Sequence, residues 1–142
     1  MKLPGMLALL VCCVTVANCA SGPRFGNVER KLAALPPGMA RVYFYRTGLL
    51  GAAVQPDVYL NGYRIGECVP NEVFYRDVWP GRFEAVAVTT TERRFTFSIA
   101  AGETKFVKCS VGVGLVFGHG QLETIDPVQA RRAIQDLEFV EP

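Results

Sequence analysis

From Ala40 onward the sequence takes on a period of two, and turn-forming residues interrupt it about every eight to twelve positions. RFTFSIA is the plainest case, with Phe95, Phe97 and Ile99 on one side and Arg94, Thr96 and Ser98 on the other. Strict alternation of this kind marks a strand with one buried face. ARVYFYR sets Val42 and Phe44 against Tyr43 and Tyr45, which predicts a strand contacted on both faces. DVYL runs into Asn61-Gly62 and then YRIGEC. Asn-Gly between β-prone runs signals a hairpin, because both central residues of a type I′ turn need positive φ. EVFYRDV leads to Trp79-Pro80-Gly81, where Pro presets φ and Gly accepts the left-handed position of a type II turn. RFEAVAV returns as the partner strand, and Ala101-Gly102-Glu103 turns the chain into TKFVKCSV. The pattern predicts a mostly β chain, an antiparallel β-sandwich of about seven strands.

The two ends depart from this period. Asp126-Pro127 places a carboxylate N-cap before a proline at the first helical position. Ala130, Ala133, Ile134 and Leu137 then share one face of a C-terminal amphipathic helix. Before the sandwich, Gly22-Pro23, Gly26-Asn27 and Leu35-Pro36-Pro37-Gly38 break the chain repeatedly. Val28, Leu32 and Leu35 between them fit either a short helix leaning on the domain or a partly ordered linker. The expected organisation is a leader over residues 1–18, a tether over 19–37, the sandwich over 38–125, and a helix with tail over 126–142.

The leader carries the address. Lys2 is a short positive region, and Leu3 to Ala17 are apolar apart from Pro4, Gly5 and Thr15. That length, about fifteen residues, suits a signal peptide and falls short of the roughly twenty a spanning helix needs. Thr15-Val16-Ala17 and Asn18-Cys19-Ala20 are each imperfect sites for ordinary signal peptidase. Val16-Ala17-Asn18-Cys19 resembles a bacterial lipobox, in which Cys19 is the acyl acceptor, with Asn18 departing from the small residue of the pattern. Acylation with palmitate-like chains anchors through about 0.8 kcal/mol per buried CH₂. Ala20 after the acceptor, by analogy with Gram-negative sorting, points to the outer membrane, facing the periplasm; the alternative is a soluble periplasmic or secreted protein.

Charge excludes one class of partner. The 142-residue chain has a formal charge of +2, and removing the segment before Cys19 takes away Lys2 alone. The remaining charges are scattered, with pairs such as Arg93-Arg94 rather than a basic stripe, so nucleic acid is not an expected partner.

ARVYFYR, VYLNGYRIGE, VWPGRFEAVAV and AAGETKFVKC, in that order, resemble the DUF2846 domain of short bacterial envelope lipoproteins. The matching positions are Ala40 to Arg46, the hairpin of Val58, Leu60, Asn61, Gly62, Ile65 and Gly66, the Pro80-Gly81 turn, and Gly102-Glu103 with Phe106. The middle portion is also similar to PEGA-type β-sandwich modules. The resemblance covers roughly residues 38 to 111 and implies a β fold and an envelope lipoprotein, with no catalytic residue to carry over.

Few side chains in the sequence stand in arrangements that carry chemistry. His119, the only histidine, lies in Gly114-Leu-Val-Phe-Gly-His-Gly120, read as a glycine-rich loop. A general base needs a nucleophile and an orienting carboxylate; Ser110, Cys109 and Asp126 are nearby in sequence, yet none stands in a known motif. Cys68 and Cys109 have no metal-ligand spacing, so no metal or cofactor is expected. In an oxidising compartment the two cysteines suit a disulfide. Strand parity argues against the bond, since Ile65 inward puts Cys68 outward, unless a bulge at Gly66 resets it. Tyr43, Tyr45, Arg46, Tyr63 and Arg64 are candidates for a binding surface, because Tyr and Arg anchor interfaces. The expectation is a non-catalytic envelope module binding a protein or cell-wall component. The alternative is a small periplasmic hydrolase using His119.

Overall fold

The computed structural model describes residues 22–90, 92–113 and 118–141. The segment expected to be a leader, and Cys19, the expected acyl acceptor, lie outside the described residues. Nine strands are described: β1 Ala40–Tyr45, β2 Asp57–Leu60, β3 Tyr63–Glu67, β4 Glu72–Val78, β5 Gly81–Val88, β6 Arg94–Ile99, β7 Thr104–Val113, β8 Gly118–Ile125 and β9 Glu138–Phe139. Two helices flank them, α1 Phe25–Val28, continued by a 3-10 turn over Glu29–Lys31, and α2 Pro127–Ile134.

The strands form two sheets, a five-stranded one in the order β8-β7-β1-β4-β9 and a four-stranded one in the order β3-β2-β5-β6. They pack as a sandwich. The inner core joins Val42, Phe44, Phe74 and Val107 of the first sheet to Val58, Leu60, Ala85, Phe97 and Ile99 of the second. β6 alternates as its sequence predicts, with Phe97 and Ile99 buried and Arg94, Thr96 and Ser98 exposed. Asn61 and Gly62 take φ of 48° and 83°, the two positive values a type I′ hairpin requires. Gly81, by contrast, sits at φ 158°, essentially extended rather than left-handed, because β5 begins there.

Two of the pairings are parallel, β1 with β7 and β4 with β9. β1 and β4 pair antiparallel, after which the chain crosses to build β5 and β6 in the other sheet. It returns as β7 on the free side of β1, running the same way. A connection that long permits parallel pairing, which a hairpin does not.

A third layer covers the outer face of the five-stranded sheet. Asp126 caps α2 as expected, its Oδ1 accepting from the Val128 and Gln129 amides at 3.0 and 3.1 Å. Ala130 and Ile134 of α2 then pack with Phe25, Tyr43, Tyr45, Val73, Tyr75, Phe106, Leu137 and Phe139 in a second core. Phe25 meets Tyr43 edge-on at 5.5 Å, and Tyr43 stacks on Phe106 at 5.2 Å. The part of the expected tether that is described belongs to this layer. The Phe25 amide donates to Leu137 O at 2.8 Å, the Phe139 amide to Pro23 O at 2.8 Å, and Arg24 bridges to Glu138. Breakers in this stretch make bends, and the apolar residues between them stay packed on the domain.

Phe25 is completely buried. Phe25→Ala should therefore cost about 3–5 kcal/mol, the usual range for emptying a buried phenylalanine site. Urea unfolding of the variant checks this, and a linker-like role for residues 22–37 would leave the midpoint where it was.

Candidate functional site

Tyr43, Tyr45 and Arg46 do not form a surface. Tyr43 and Tyr45 point from β1 into the second core, beneath α1 and α2. β1 is buried on both faces, as its alternation predicts, so these residue types serve packing here rather than an interface. Burial raises the pKa of both phenols. Arg41 shares their face and makes a two-pronged pair with Asp77, Nε to Oδ1 at 2.6 Å and Nη2 to Oδ2 at 2.8 Å. Its Nη2 also donates to Ala33 O at 3.0 Å, and its guanidinium lies 4.0 Å over the Tyr75 ring. These contacts fasten the N-terminal segment to the sheet. Hydrogen bonding to Asp77 raises the Arg41 pKa.

Arg46 is 2 % exposed and donates to backbone carbonyls: Val54 O at 2.8 Å, Cys68 O at 2.9 Å and Leu50 O at 2.7 Å. Burial lowers its pKa from the ordinary value. The side chain is thus an internal brace for the connection between β1 and β2. Of the five surface candidates, Tyr63 and Arg64 remain accessible, Tyr63 at 79 % exposure and Arg64 paired with Asp57 at 2.6 Å.

Among the described residues the accessible sheet face is the outer side of the four-stranded sheet. Tyr59 of β2 stands opposite Val86 of β5 and Arg64 of β3, and Val86 stands opposite Arg94 of β6. Arg94 pairs with Glu84 at 2.8 Å. A shallow cleft of about 320 Å³ is lined by Tyr59, Val86 and Val88 with Glu84, Glu92 and Arg94. An apolar strip between ion pairs suits recognition of an extended chain or a sugar-like surface that offers both apolar area and polar groups. Sequence reading missed this strip because β5 turns its alanines, Ala85 and Ala87, inward and leaves its valines outside.

His119 sits on a strand, paired with Gly112 across β7 and β8, rather than on a loop. Its flanking glycines answer close approach: a Cβ on Gly120 would lie 2.7 Å from Ala87 O, and one on Gly118 would lie 2.8 Å from Val111 Cγ1. Ser110 pairs with Gln121, diagonal to His119 on the same face. Asp126 is seven residues further along, roughly 23 Å at strand rise, and its carboxylate is spent on capping α2. Among the described residues, no three His, Cys, Asp or Glu side chains gather as a metal-ligand set.

The structure joins Cys68 and Cys109, with Cα atoms 6.2 Å apart, so that the end of β3 in one sheet is tied to β7 in the other. The parity conflict resolves at a register shift. Val58 pairs with Gly66 and Tyr59 with Arg64, which leaves Ile65 as an extra residue on β3 and turns Cys68 inward. Closing a loop of about 42 residues contributes about 4 kcal/mol in the chain-entropy model. We predict that purified protein shows no alkylatable thiol at Cys68 or Cys109 until it is reduced. Reduction should then lower the denaturation midpoint. Mass spectrometry with and without reductant, paired with a melt, checks both.

At the start of β4, Glu72 has its pKa raised by burial first, and then by the nearby Glu138 and Glu67 carboxylates. The folded state therefore holds the Glu72 proton more tightly than the unfolded state does. This contribution to stability falls as pH rises from the ordinary carboxylate range through the raised value. Glu72→Gln should melt higher than wild type at neutral pH, with the gap closing as pH drops. Thermal melts across that range read it directly.

A protein of Haemophilus influenzae, described only as uncharacterized, is 25 % identical over 138 residues, covering 94 % of this chain and 79 % of its own. No solved structure matches. The model of the family "Protein of unknown function (DUF2846)" matches residues 36–121, from the turn before β1 into β8. With more than half of its length matched, the chain belongs to the DUF2846 family.

Proposed function

We propose that the protein is exported, acylated at Cys19 and held at the outer membrane facing the periplasm, where its sandwich serves as a non-catalytic binding module. The binding surface is the outer face of the four-stranded sheet, centred on Tyr59 and Val86 between Arg64 and Arg94. One observation carries this reading. Among the described residues the two sheets are treated oppositely, the first covered by α1 and α2 and the second left open with an apolar strip between ion pairs. The leader and its lipobox-like Val16-Ala17-Asn18-Cys19 support the address. The partner class is an envelope protein or a cell-wall component.

The rival reading, a hydrolase using His119, draws on Ser110 lying diagonal to it on one face. The commitment of Asp126 to the α2 cap weighs against that reading.

Crosslinking from intact envelopes should capture a partner with wild type and lose it with Tyr59→Ser or Arg64→Glu, both at positions that are not fully buried. Labelled palmitate should enter wild type and not Cys19→Ala. Label persisting in Cys19→Ala would overturn the anchor. Capture that ignores both face variants would overturn the surface. A turnover abolished by His119→Ala would install the enzyme reading instead.

A further inference from the structure

The connection between β1 and β2 begins with the buried Arg46, and the rest of it, residues 47–56, reads TGLLGAAVQP and carries no charge. Leu49 and Leu50 at its turn are 70 % and 73 % exposed, although nothing about a solvated loop calls for adjacent leucines. Hydrogen bonds hold the loop from within and from below. Ala52 N donates to Leu49 O and Val54 N to Gly51 O, at 3.0 and 2.9 Å. The buried Arg46 guanidinium grips Leu50 O and Val54 O from beneath. The two leucines are thus presented outward by a brace.

Their position relative to the N-terminal chain is fixed by a short relay. The Gly48 amide donates to Asn71 Oδ1 at 2.8 Å, and the Glu138 amide donates to Asn71 O at 2.9 Å. Glu138 bridges to Arg24, and the next residue, Phe139, donates to Pro23 O. The leucine loop and the point where the chain enters the domain therefore lie at one end of the sandwich. Val140, also exposed, joins them there through its bond to Val73 O. Trp79 marks the opposite end, a full β4 length away beside Gly38.

We infer that this end of the sandwich faces the lipid bilayer and that Leu49 and Leu50 insert into its interfacial region, an inference that rests on the anchoring of Cys19. From Cys19 to Pro23 the chain reaches at most about 14 Å when fully extended. An acylated Cys19 therefore holds the entry end close to the membrane and leaves Trp79 remote. Burial of two leucines in the acyl boundary is favourable and needs no anionic headgroup, in keeping with an uncharged loop. The second contact fixes orientation, so the open face of the four-stranded sheet stands beside the membrane rather than on it.

The test uses the full acylated chain in vesicles of phosphatidylethanolamine and phosphatidylglycerol with brominated acyl chains. Wild type reports through Trp79, its only tryptophan. Trp79→Phe combined with Leu50→Trp, or with Leu49→Trp, reports from the loop. The loop tryptophans should shift to the blue and lose most of their emission, while Trp79 keeps its own. An acylated, vesicle-bound protein whose loop tryptophans keep their emission overturns the inference, as does equal quenching of Trp79. If intact mass shows no acyl group on the exported protein, the anchor reading fails and this orientation falls with it.

Discussion

Six consecutive buried residues, Ala40 to Tyr45, set the terms for the rest of the molecule. A strand buried on both faces needs a layer on each side and a partner on each edge. β4 and β7 supply the edges, and the four-stranded sheet supplies one face. The other face carries Tyr43 and Tyr45, and what covers it comes from both extremes of the chain, Phe25 near the start and Ala130, Ile134, Leu137 and Phe139 near the finish. The parallel pairings of β7 and β9 follow from the same need, because each returns from a distant excursion to complete the sheet around β1 and β4.

Arg41 near the start of β1 and Arg46 just after its end are both buried, and they solve the problem of a desolvated charge differently. Arg41 meets a carboxylate in a planar two-bond fork, the arrangement in which guanidinium pairing is strongest. Arg46 is satisfied by the dipoles of three carbonyls drawn from two separate loops. The first joins the N-terminal segment to the sheet, and the second shapes the β1–β2 connection and ties it to the backbone of Cys68. Removing either would strand buried polar groups, so these charges serve architecture before recognition.

Much of the framework was legible in local chemistry. Asn61-Gly62 dictated its hairpin, Asp126-Pro127 its helix start, and RFTFSIA its two faces, since each is a short-range constraint. Long-range facts were not. Tyr43 and Arg46 belong to residue types equally at home in a core or at an interface, and their burial depends on Phe25 in a breaker-rich segment that read as a tether. β8 escaped notice because Gly118 and Gly120 resemble loop residues, whereas their lack of a side chain serves contact with Val111 and Ala87. The open face was hidden by an inversion in β5, where alanines fit the tight inter-sheet space and valines are left outside. Of the candidate surface, Tyr63 and Arg64 were readable because a hairpin tip at a sheet edge stays accessible.

The pairing of residues 23–26 with 135–139 has a consequence for how the chain is made. Ribosomes and secretion channels deliver a polypeptide from its amino end, so Phe25 emerges more than a hundred residues before the carbonyl of Leu137 that its amide needs. Until then its ring, and the tyrosine face of β1, have no lid. The inner sandwich can be assembled from contacts already delivered, but the outer core is completed only once residues 130–139 have emerged. Such late closure leaves an aromatic surface open during synthesis, the kind of intermediate that chaperones hold. It also makes residues 135–139 a checkpoint: a chain truncated before Phe139 retains most of its strands and yet lacks the piece that seals them.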